Sequence, residues 1–148
     1  MAQPDIANLI ERSAAELARL WVDAVRADAS ITSDDHLAEG ALADHVPAMI
    51  AEICELLRAG GRPAAGTTRE SRVHAYTRFR QGYLARDLVR ELSHLRLILQ
   101  EHVNDKLRFR AADARCGAYH EAARAINLYV DDEMRYAVSI YTEESRPT

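Results

Sequence analysis

From Tyr119 to Tyr141 an apolar or small residue returns every three or four positions. The set is Tyr119, Ala123, Ile126, Val130, Ala137 and Tyr141, with Met134 beside it. That is the period of one face of an α-helix, about 3.6 residues per turn. The helix reads from about Ala114 to Thr142, longer than the average of about three to four turns. Such a helix can close a bundle or project as a coiled coil. A three/four repeat on a long terminal helix also suits a parallel dimer that transmits a change of register or tilt. The spacing therefore predicts a signalling or dimer helix over 119–142.

The same period recurs upstream. Pro4 and Asp5 open a first helix, where proline fits the first turn and an acid favours the positive end of the dipole. Ile6, Leu9, Ile10, Leu17, Leu20, Trp21 and Val25 then form one stripe over about six turns, ending near Ala27–Ser30. The run 31–45 reads as a turn and a short capped segment, with Thr32 or Ser33 as N-cap. A second helix follows, with Pro47 near its start or kinking it; Val46, Met49, Ile50, Ile53, Leu56 and Leu57 face inward, and Gly60 and Gly61 end it. "GGRPAAGTT", 60–68, is a loop. A third helix over Arg69–Gln81 shows Val73, Tyr76 and Phe79 as its apolar side, and Gly82 breaks it. A fourth starts near Ala85–Asp87 and carries the seam Leu88, Leu92, Leu95, Leu99 and Val103. Asn104–Asp113 turns the chain into the closing helix. No segment alternates with a period of two between hairpin turns. The expectation is an all-α, single-domain bundle of about five helices over 1–148, with a long C-terminal helix.

A chain of 148 residues fits one domain with a real core. The net charge of −4 argues against a nucleic-acid binder, which needs a concentrated basic surface. The charge is uneven: residues 69–118 carry a net +5, between flanks of −6 and −3. That middle segment either packs among acidic neighbours or offers arginines to an acidic ligand or partner. Cys54 and Cys116 are too few and too far apart for a zinc site or disulfide framework. No signal-peptide pattern opens the chain and no run reaches the ~18–20 apolar residues that span a bilayer. A cytoplasmic location without a membrane span is expected.

The stretch "ELSHLRLIL", 91–99, resembles a phospho-accepting histidine box centred on His94. Leu95 stands where such boxes place an acid, and no glycine-rich nucleotide site accompanies it. Glu91-Leu-Ser-His94 has the Glu-x-x-His step of helical di-iron sites, yet no second copy exists and no histidines pair as HxxxH. Haem needs a single axial ligand, for which His74, His94 and His102 are the candidates, without other supporting features. No cofactor or metal is predicted. No nucleophile elbow, Cys/His pairing or phosphate-cradling loop appears, so no enzyme is expected. The segment 74–103 holds the remaining polar candidates. His74 and Arg78 lie one helical turn apart, and Glu91 and Arg96 flank the Leu92/Leu95 seam. With Tyr83 they form either a structural polar cluster or a pocket for an anionic ligand.

Those residues also carry a resemblance. His74-Ala75, Arg78, Gly82-Tyr83 and Glu91-Leu92…Leu95-Arg96 follow a pattern similar to the RsbRD-type N-terminal domain, named for the RsbT co-antagonists of the bacterial stressosome. The upstream "LADHVPAMIAEI", Trp21 and the closing "AINLYVDDEMRYAVSIYTEE" are similar as well, so the resemblance covers nearly the whole chain. It implies a helical sensory or regulatory input domain without catalysis, usually a homodimer. It further implies a downstream sensor histidine kinase or stress-signalling module, in cis or in trans. It also implies a globin-like arrangement, which keeps a haem- or ligand-binding sensor, and behind it a phosphotransfer domain, as alternatives.

Overall fold

A computed structural model describes residues 3–61 and 68–144. Of the loop expected over 60–68, positions 62–67 lie outside the described residues. The helices are α1 (Gln3–Arg12), α2 (Ala14–Ala27), α3 (Glu39–Ala43), α4 (Val46–Arg58), α5 (Arg69–Arg80), α6 (Ala85–Leu107) and α7 (Ala112–Glu144). A 3-10 turn, Ser33–His36, links α2 to α3. Six of these helices are ten residues or longer, and no strand occurs among the described residues. The fold is an all-α bundle whose last helix, at 33 residues, is about 50 Å long.

The single first helix of the sequence reading is two. Ser13 leaves the helical region, at φ −103° and ψ 9°, and hands the chain on through Leu17 N–H to its own carbonyl at 2.8 Å. The break lets each segment choose its own neighbours: α1 packs mainly on α4, α2 mainly on α6. Ile6, Ile10, Leu17, Trp21 and Val25 are buried as expected, while Leu20 is exposed and Leu9 half-buried. The expected caps at Thr32 and Ser33 make no side-chain cap bond. The Ser33 hydroxyl is committed instead to Asp87 at 2.6 Å.

Pro47 sits at the start of α4, where its missing N–H costs nothing. Gly61 N–H closes that helix on the Leu56 carbonyl at 2.8 Å, with Gly60 and Gly61 both at positive φ. The largest correction concerns α5. Val73 and Tyr76 are 40% and 48% exposed, and Phe79 is half-buried against Tyr141. The buried side of this helix is Ser71, His74, Ala75 and Arg78. A polar face is turned inward because three other helices bring partners to it.

The turn after α6 is shorter than expected, covering only 108–111. Along α7, Ile126, Val130 and Ala137 are buried within this one chain, and Tyr119, Ala123 and Tyr141 are half-buried. Helices α4, α5 and α6 cover them. Three of the six residues of the repeat are thus buried in the chain's own core, and the other three keep part of their surface exposed.

Candidate functional site

α5 presents His74 and Arg78 one turn apart toward α6 and α7, and both are at most 1% exposed. Arg78 Nε donates to Glu91 Oε1 of α6 at 2.9 Å. Its Nη2 donates to the Leu42 carbonyl at 2.5 Å and its Nη1 to Gln81 Oε1 at 2.9 Å. The end of α5 completes the setting. Gly82 takes φ 77°, a conformation open mainly to glycine, and Tyr83 N–H closes back on the Arg78 carbonyl at 3.0 Å. That closure lays the Tyr83 ring beneath the guanidinium, 4.9 Å from ring centre to carbon. Tyr141 of α7 donates its hydroxyl to the Tyr83 carbonyl at 2.7 Å.

His74 bridges the other two helices. Its Nδ1 lies 2.6 Å from Glu133 Oε2 of α7. Its Nε2 lies 3.0 Å from Glu91 Oε1, close enough for an ion pair but out of line for a hydrogen bond. The His45 ring stands edge-on at 6.1 Å. Burial alone would lower the His74 pKa; the carboxylates of Glu133 and Glu91 outweigh it and hold the imidazole at about 9. Burial likewise works to raise Glu91, but His74 and Arg78 pull it below the ordinary carboxylate range. Glu133 stays above that range, because burial and the charge of Glu91 exceed the pull of His74. The His74–Glu133 pair therefore holds a proton firmly. Glu91 Oε2, Glu133 Oε1 and the Tyr83 hydroxyl have no hydrogen-bond partner among the described residues.

Two further buried carboxylates tie helices together. Glu52 of α4 accepts from the N–H of Glu70 at 2.9 Å and of Ser71 at 3.3 Å, capping α5, and also takes the Tyr129 hydroxyl. Asp87 accepts from Thr32 and Ser33 at 2.6–3.2 Å and fixes the 3-10 turn to α6. Trp21 of α2 donates its indole N–H to the Glu91 carbonyl at 2.9 Å.

A family model, the RsbT co-antagonist protein rsbRD N-terminal domain, matches residues 15–146. The chain belongs to this family. Neither curated proteins nor solved structures give a match.

The residues that carried the resemblance to the RsbRD family converge in space. His74, Arg78, Tyr83 and Glu91, from three parts of the chain, meet in one closed cluster. Arg96 does not join them. Five positions beyond Glu91, it points about 140° around α6 to Asp131 at 3.2 Å and Asn127 at 3.4 Å on the flank of α7. Glu133 is the member that the sequence reading missed. It is three residues after Val130 and four before Ala137, so an acid standing within the apolar repeat was the signal. His94 lies outside, with Nε2 2.7 Å from Asp28 Oδ2. Among the described residues no group of three or more His, Cys, Asp or Glu is arranged to hold a metal ion. Both ring nitrogens of His74 face carboxylates. No helix among the described residues is long and apolar enough to cross a membrane.

Proposed function

We propose that this domain is a non-catalytic regulatory input module of a bacterial stress-signalling protein, acting in the cytoplasm by conformational signalling. What supports the reading, beside the family, is the His74–Glu133 contact. It links the motif helices α5 and α6 to the longest helix, α7, through buried charges. Buried ion pairs have two well-defined arrangements, made or broken, and suit a two-state element better than a slippery apolar contact does. A shift of α5 against α6 would reach α7 through Glu133, and α7 would pass the bias to a kinase or other stress-signalling module.

The partner test is purification of the tagged chain from its own cells, with mass spectrometry of what accompanies it. A kinase or stressosome-type protein is the expected companion; its absence under signalling and resting conditions alike overturns the reading. The domain is proposed to work as a homodimer, using a surface other than the buried side of α7. Light scattering at micromolar protein should give twice the chain mass, and a monomer at every concentration overturns that part. The mechanism calls for no cofactor, so added haem should leave the visible spectrum that of free haem.

A further inference from the structure

α6 has two polar sides. The inner one carries Glu91. The outer one carries Arg86, Arg90 and His94 beside Val89, Ser93 and Leu97, and with Ser30 and Asp87 these residues line a cavity of about 580 Å³; Asp87 is 1% exposed and its Oδ2 is committed to Thr32 and Ser33. That lies within the roughly 300–1,000 Å³ of small-molecule sites.

Asp28, just past the end of α2, organises the rim. Its carboxylate accepts from Ser30 Oγ at 2.6 Å and Ser30 N–H at 3.0 Å, and it also takes His94 Nε2 and Arg90 Nε. These contacts fix both side chains in orientation. Arg90 is held through Nε alone, so its two terminal nitrogens have no partner among the described residues. Arg86 makes only a 4.0 Å approach to Asp87. Two guanidinium forks thus stand beside Val89 and Leu97, which are 37% and 53% exposed. A guanidinium fork matches a carboxylate or phosphate by parallel hydrogen bonds, and the apolar pair suits a hydrocarbon body.

We propose that this cavity binds a small organic anion, with its carboxylate or phosphate on Arg86 and Arg90 and its apolar part over Val89 and Leu97. Glu91 follows Arg90 directly, and its carbonyl holds Trp21. A ligand that draws Arg90 from Asp28 therefore acts on the turn of α6 that anchors the buried cluster. Its use as a signal rests on the input-domain reading, whereas binding itself does not.

Isothermal titration of the whole chain tests it, at about 150 mM salt, where the screening length is about 8 Å. The probes are octanoate, octyl phosphate and octanol. Saturable binding of octanoate or octyl phosphate is expected, weakened at least tenfold by Arg86→Gln and by Arg90→Gln. Arg86 has no hydrogen bond to lose among the described residues, so its variant keeps the test sound should Arg90→Gln misfold. Absence of saturable binding overturns the proposal. So does octanol binding as tightly as octanoate, or anion binding that Arg86→Gln leaves unchanged. None of these outcomes changes what co-purification reads, so the two ideas fail separately.

Discussion

His74 and Glu133 are 59 residues apart in sequence and 2.6 Å apart in space. Their contact joins α5 to α7 inside the core, where neither side chain is more than 1% exposed. Removing Glu133 takes the hydrogen-bonded carboxylate from a fully buried imidazole and leaves it facing Glu91 alone, which Arg78 also shares. Glu133→Ala should therefore lower the unfolding free energy by about 3–5 kcal/mol, measured by urea denaturation at neutral pH. A loss under 1 kcal/mol would mean that the pair is not formed.

The same pair sets an alkaline limit. His74 is held at about 9 in the folded chain and titrates near 6.5 when unfolded. A raised pKa contributes stability that is complete below about 6.5 and is lost as pH rises through about 9. The difference corresponds to roughly 3 kcal/mol. Melting temperature should fall steeply between pH 7 and 10, and His74→Gln should flatten that slope while lowering the neutral value.

Trp21 offers a cleaner hydrogen-bond test. Trp21→Phe keeps a buried aromatic ring but removes the indole donor to the Glu91 carbonyl. That carbonyl keeps its partner within α6, so the loss is that of one hydrogen bond, about 0.5–1.5 kcal/mol. Denaturation followed by circular dichroism should show a loss in that range, and Glu91 amide exchange should quicken.

Ile126 separates a core role from a dimer role. It is fully buried within the chain, so Ile126→Ala should cost about 2–5 kcal/mol and leave the oligomeric mass by light scattering unchanged. A stable variant that falls from dimer to monomer would return the residue to an interface.

His94 should matter little to stability. Its contact with Asp28 is part-buried, but without it the carboxylate still accepts from Ser30 and Arg90. His94→Gln should change the denaturation midpoint only slightly. Incubation with a phosphorylated receiver should label no residue that this substitution removes.

Periodicity is a local property, and the local parts of this protein were legible in it. The three/four repeats marked the helices, Gly60, Gly61 and Gly82 marked their ends, and the His74–Arg78–Gly82-Tyr83–Glu91 pattern marked the family. The sequence alone determined an all-α bundle with one long closing helix. It also determined the closeness of His74 to Arg78, because one helical turn separates them. Other matters depended on contacts between distant segments. Burial of the α7 repeat follows from α4, α5 and α6 reaching it, and no repeat says whether its partner lies in the same chain. The polar inner face of α5 is stable because Glu52, Glu91 and Glu133 arrive from three other helices to balance it. Arg96 was expected in the cluster, and Glu133, which the sequence reading did not single out, stands there instead. Helix rotation sends Arg96 to a half-exposed flank and carries Glu133 into the core, and that rotation was set by packing across the whole bundle.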